Sequence, residues 1–164
     1  MDNNKTSKID LITDFIGEIT LYTTEIEHKI NDLICEYFIT SGKKKITFKR
    51  WLLYRGGFKF EDKIECLRFI SSFIQDKETK GIFEMIIMFA MRFDHVKNKL
   101  VYGGICHGEE SENVAIKTVN DGFYRYEQIE ITPEYIEIMR DTATSTIQSL
   151  KNAMKMLSGA EQAT

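Results

Sequence analysis

The chain has 164 residues, a formal net charge of -3, 43% hydrophobic residues and 29% charged residues. That length suits one soluble domain with a real core, and the composition is that of an ordinary globular protein. The acidic balance excludes a wholesale basic nucleic-acid binder but leaves room for a local basic patch, and no uninterrupted apolar run is long enough to span a bilayer.

The N-terminal MDNNKTSKID is polar and has no signal-peptide core. Cys35, Cys66 and Cys106 are far apart, odd in number and form no CxxC pair, which points to a reduced, cytoplasmic compartment. A single proline, Pro133, fits a chain dominated by helices, and the expected fold class is mainly α.

From about Lys8 to Phe38 the pattern is helical. Ile9, Ile12, Ile16, Ile19, Ile26, Ile30, Leu33 and Tyr37 share one stripe, with Thr23 filling the remaining step. A second row of Leu11, Phe15, Tyr22, Ile34 and Phe38 widens the apolar face enough to meet two neighbours. His28 falls on the polar side. Ser41-Gly42 ends this helix.

From Tyr37 through Phe60 there is no acidic residue. Lys43, Lys44, Lys45, Lys49, Arg50, Arg55 and Lys59 are interleaved with Phe48, Trp51 and Tyr54. Cations hold phosphates and aromatic faces stack on bases, so Lys43, Lys44, Lys45, Lys49, Arg50 and Trp51 are the candidate RNA-binding residues. The same residues also suit a connector with a short helix, in which Trp51 and Leu52 plug the core and the lysines are solvated.

Gly56-Gly57 breaks the chain before a helix expected over Glu61 to Gln75, with Ile64, Leu67, Ile70, Ser71 and Ile74 inward. Glu61 and Asp62 near its start suit the positive end of the helix dipole. Cys66 reads as a small core residue, since no histidine lies near it in sequence. The next helix starts near Thr79. Over Ile82 to Gly104 its apolar stripe is Ile82, Ile86, Phe89, Phe93, Val96 and Leu100, with Phe89 expected to be fully buried. His95, Asn98 and Tyr102 fall on a ridge beside that stripe, extended upstream by Met91, while Lys97 lies away from it. Without further information this ridge reads as the polar edge of a core helix, with Tyr102 half-buried.

After Gly103-Gly104 the acidic residues Glu109, Glu110 and Glu112 mark an exposed loop, and His107 follows the glycines on a mobile loop. Val114 to Val119 alternates, Asn120-Asp121-Gly122 supplies turn residues, and Phe123 to Ile131 alternates again, which predicts a β-hairpin. Two strands alone are marginal, so the hairpin must lean on the helices. Thr132-Pro133-Glu134 is a helix start. The final helix is expected to run to about Leu157, with Ile136, Met139, Ala143, Thr146, Leu150, Ala153 and Leu157 as its stripe. Residues 158–164 are expected to form a disordered tail, and the whole chain a single domain.

This order of elements, including the FxFEDKIxxL segment over Phe58 to Leu67, resembles HEPN-domain proteins over roughly Lys8 to Leu157. The resemblance implies a HEPN-like helical bundle with one β-hairpin before the C-terminal helix. It also implies a homodimer, formed across the helix that carries the ridge. Such proteins occur in prokaryotic toxin–antitoxin, abortive-infection and CRISPR effector systems, and many are metal-independent endoribonucleases. The family signature is Arg-Asn, three variable residues, His and commonly Gly. The matching run here is Lys97-Asn98-Lys99-Leu100-Val101-Tyr102-Gly103. Asn98 and Gly103 match, Lys97 replaces the arginine and Tyr102 replaces the histidine.

Both departures strike the chemistry. A histidine, with a pKa of about 6.5, can take or give a proton near neutrality, whereas a tyrosine, at about 10, stays protonated. Lysine holds a phosphate as a point charge, without arginine's bidentate fork. The candidate catalytic residues are Asn98, Tyr102, Lys97 and His95, with His107 also flanking the motif. Asp94, His95, Cys106 and His107 are metal-ligating types, but their spacing fits no standard zinc pattern. No metal and no cofactor is expected. The expectation is an RNA-binding or partner-binding protein of a prokaryotic or phage conflict system, with ribonuclease activity weak or lost. The alternative is a non-enzymatic helical interaction module.

Overall fold

The computed structural model describes residues 3–39, 42–50, 57–107, 114–119 and 126–160, and the side chains of 10–39, 42–50, 57–103 and 129–157. In chain order the elements are α1 (Asn3–Phe38), α2 (Gly42–Phe48), α3 (Phe60–Phe73), α4 (Lys77–Tyr102), β1 (Gly104–His107), β2 (Val114–Val119), β3 (Tyr126–Ile131) and α5 (Pro133–Ala160). The fold is mainly α, as the sequence predicts. No described helix is long and apolar enough to cross a membrane. The elements form two compact units, Met1–Thr23 with Arg92–Thr142 and Thr24–Met91 with Ala143–Thr164. The helices α1, α4 and α5 each contribute residues to both.

The first unit holds the strands. β2 and β3 pair antiparallel from Val114↔Ile131 to Val119↔Tyr126, which is the predicted hairpin. Its turn, Asn120-Asp121-Gly122, lies outside the described residues. The sequence reading is corrected at Gly104–His107: this run is not loop but strand β1, paired antiparallel to β2 with Cys106 opposite Ala115 and His107 opposite Val114. Four residues that open on the second of two glycines are too short to show a period, and only pairing with β2 makes them a strand. The sheet order is β1-β2-β3. A third strand gives the hairpin the extra pairing that two strands lack.

Thr132 caps α5, its hydroxyl accepting the Tyr135 backbone N–H at 3.0 Å. Pro133 occupies N1, where no backbone donor is needed. The unit's buried side chains include Ile12, Phe15, Ile19, Phe93, Val96, Leu100, Ile131, Ile136 and Met139. Phe15 meets Tyr135 edge to face at 6.1 Å between centroids. Burial pushes the Tyr135 phenol above its usual pKa, with Arg92 acting the other way.

The second unit is helical throughout its described residues. Its core draws on Ile26, Ile30, Leu33 and Ile34 of α1, Ile64, Leu67 and Ile70 of α3, Phe83, Ile86 and Ala90 of α4, and Ala143, Leu150 and Ala153 of α5. Asp62, the third residue of α3, accepts the Lys59 backbone N–H at 2.8 Å, which fixes where that helix begins. Asp76 does the same for α4 by accepting the Thr79 N–H at 2.7 Å, and its bonds to Thr79 hold its carboxyl below the usual range. Lys63 is buried and reaches Glu27 on α1 at 2.5 Å.

Several expectations are corrected in detail. α1 begins at Asn3 rather than near Lys8, and α5 runs to Ala160, past the expected end at Leu157. Residues 161–164 lie outside the described residues, as do Trp51 and Leu52. α3 stops at Phe73, so Ile74 caps it and is only half-buried. In the second row of α1, Phe15 and Ile34 are buried but Leu11 and Phe38 are exposed. The largest correction concerns α4. Phe89 is half-buried, and the buried stripe is Phe83, Ile86, Ala90, Phe93, Val96 and Leu100. The two stripes share their C-terminal half. Upstream both contain Ile86, but the helix buries Phe83 in place of Ile82 and a small Ala90 in place of its more hydrophobic neighbour Phe89.

Candidate functional site

The last turns of α4 carry the motif residues. The helix closes where Gly103 donates its backbone N–H to Lys99 O at 2.8 Å. Asp94, Lys97 and Asn98 stand at steps of three and four, which makes them neighbours on a helix surface. The Lys97 ammonium donates to Asp94 Oδ1 at 2.6 Å. The Asn98 amide donates to Asp94 Oδ2 at 2.9 Å. One carboxylate therefore holds both motif residues, one through each oxygen. Lys97, expected to lie away from the ridge, is tied to the ridge residue Asn98 through Asp94.

His95 and Asn98 are exposed. Tyr102 is 83% exposed, so it is not the half-buried edge residue that spacing suggested. Among the described residues, neither the His95 ring nor the Tyr102 hydroxyl has a hydrogen-bond partner. The four candidate catalytic residues thus share one helix end, but only Lys97 and Asn98 are joined, and through an acid. Sequence reasoning assigned no such role to Asp94. Its signal was present in the spacing, an acid three and four residues before a lysine and an asparagine. The side chains of Cys106 and His107 lie outside the described ones. Among the described residues no group of three or more His, Cys, Asp or Glu could hold a metal ion.

Chemically, this cluster presents an ammonium and an amide already engaged by a carboxylate. An incoming phosphate would use their remaining N–H groups and would be repelled by the Asp94 charge beside them. Among the described residues the His95 imidazole makes no hydrogen bond to Asn98 or Lys97.

Among the described residues, the basic connector forms α2 and the turn after it at Lys49 and Arg50. Lys43, Lys44 and Arg50 are exposed. Lys45 is ion-paired with Glu36 and Lys49 with Asp32, both acids of α1. So two of the candidate RNA-binding cations are neutralised by a neighbouring helix, while three face solvent. Trp51 lies outside the described residues. The pairing was hidden in sequence because it joins residues nine and seventeen positions apart.

The two thiols with described side chains are not activated. Burial raises the pKa of Cys35, partly offset by Lys49. Burial also raises that of Cys66, and the nearby Asp62 and Glu65 carboxylates add to the effect. No family model, no curated protein and no solved structure matches the chain.

Proposed function

We propose that this chain is a HEPN-like protein of a prokaryotic or phage conflict system. In this reading it is cytoplasmic and homodimeric, and it binds RNA, or a partner protein of such a system, with metal-independent endoribonuclease activity weak or lost. The reading is supported most by the surface of α2 and the turn after it, where Lys43, Lys44 and Arg50 are exposed in a segment without a single acid. Those charges suit phosphates, which repay each contact by counterion release. The weakness of the chemistry follows from α4. Tyr102 stands where a titrating imidazole is needed, and Asp94 engages one N–H each of Lys97 and Asn98.

The test is to rebuild the motif. Lys97→Arg with Tyr102→His should raise RNA cleavage at least about 10-fold, the low end of the roughly 10²–10⁴-fold credited to a positioned acid or base. Asn98→Ala should abolish the gain. A folded double variant with no gain would leave the ridge without a catalytic role.

A second reading, a non-enzymatic interaction module, is favoured by a separate observation. Phe38, Phe69 and Phe73 are 43%, 50% and 60% exposed. Phe69 stacks on Phe38 at 6.0 Å and meets Phe73 at 4.8 Å. Contiguous exposed aromatics are the kind of apolar patch that marks a protein contact. Association that ignores salt and is lost on Phe69→Ser would support this reading over RNA binding.

A further inference from the structure

A groove of about 800 Å³ opens within the second unit. Its walls are α1, α2 and α5, and its charged lining is Asp32, Glu36, Lys45, Lys49, Lys151 and Lys155. The two carboxylates are each engaged, Glu36 by Lys45 and Asp32 by Lys49. The α5 wall differs. Lys151 and Lys155 stand one helical turn apart on one face of α5, and among the described residues neither has an ion-pair partner. Every carboxylate in the groove is therefore matched, and two ammonium groups are left over. Cys35, Ile46 and Met154 supply apolar surface between the charges.

We propose that this groove seats a single-stranded RNA, with Lys151 and Lys155 as its principal phosphate contacts. The proposal rests on the RNA-binding reading above and locates the strand. Two ammonium groups about one turn apart suit successive phosphates better than one compact anion. The apolar lining gives an unpaired base a surface to lie on, and a volume of this size accepts a nucleotide unit. The α2 wall also carries Lys43 and Lys44, both exposed, so the cationic surface continues beyond the groove. The lysines of α5 drew no attention in sequence because they sit on a helix of mixed charge, far from the connector.

The test is fluorescence anisotropy with a labelled mixed-sequence single-stranded RNA over a salt series. Four proteins are compared: wild type, Lys151→Ala/Lys155→Ala, Lys151→Arg/Lys155→Arg and Lys43→Ala/Lys44→Ala. Circular dichroism confirms that each is folded. The alanine pair in α5 should flatten the log–log slope by about 1.4 units, two contacts at roughly 0.7 each, and the arginine pair should keep it. Unchanged affinity and slope in the α5 alanine pair would overturn the groove assignment. The RNA reading would then stand on wild-type binding and on any loss in the α2 pair. No salt-dependent binding by the wild type would instead overturn the RNA reading, and the groove with it. Displacement of the strand by millimolar AMP would overturn the strand assignment in favour of a free nucleotide.

Discussion

Asn98 donates its side-chain amide to Asp94 one turn earlier on α4, at 2.9 Å. The same carboxylate holds Lys97 at 2.6 Å. Asp94 is thus the acid that engages both the matched motif residue Asn98 and Lys97, which stands in the arginine position. Asp94→Ala should release both donors. The pair is partly buried, with side chains 27% and 15% exposed for Lys97 and Asp94, so the stability loss should be on the order of 1 kcal/mol. If RNA reaches the ridge, the log–log salt slope should steepen by about 0.7 as Lys97 becomes a phosphate contact. An unchanged slope would show that the ridge lies off the RNA path.

Phe93 is fully buried whereas Phe89 is only half-buried. Phe93→Ala should cost roughly 3–5 kcal/mol through lost transfer energy and a cavity. Phe89→Ala should cost about half of that or less, since part of its ring already meets water. Urea denaturation of the two variants checks the order, and equal losses would return the stripe to Phe89.

The same pair of phenylalanines shows what the sequence could reveal. Helix existence and type were legible because isoleucine and leucine recur at steps of three and four over long segments. The hairpin was legible from alternation, and the Thr132-Pro133 start from capping chemistry. The exact buried face of α4 was not legible, because tertiary packing buries Ala90 in place of the more hydrophobic Phe89. Strand β1 was not, because pairing with β2 rather than its own pattern makes it a strand. At the candidate site, the residue types on the ridge were readable and so was the spacing of Asp94. The pairing of Lys45 and Lys49 with α1 and the leftover lysines of α5 depend on how distant segments meet.

Lys63 is buried while its partner Glu27 keeps about a third of its side-chain exposure, 3% against 35%. Glu27→Gln removes the compensating charge and leaves the ammonium in the core. The loss should be roughly 1–3 kcal/mol, less than for a fully buried pair because water still reaches position 27. Lys63→Met removes the charge with its burden and keeps most of the volume, so it should cost less than Glu27→Gln. Thermal melts of the two variants read the order, and the reverse order would mean the ammonium finds another partner.

Arg140 grips Glu18 through Nε and Nη2, both at 2.7 Å. Those hydrogen bonds hold the Glu18 carboxyl below its ordinary pKa. A depressed folded-state pKa gives stability that is present above the unfolded value, about 4.3, and is lost as pH falls through the folded value. Glu18→Gln should therefore lower the urea midpoint at pH 7, with the gap to wild type closing in acid. A gap that is constant from neutral to acid pH would mean that the carboxylate's charge contributes nothing.

If the protein binds RNA without cutting it efficiently, one experiment reads both halves. Labelled single-stranded RNA is incubated at neutral pH with saturating wild-type protein and chelator, then resolved in parallel on native and denaturing gels. The predicted result is RNA that is shifted on the native gel and still full-length on the denaturing gel. Contradiction would come from RNA that never shifts, or from RNA that is rapidly cut by wild type but not by Asn98→Ala.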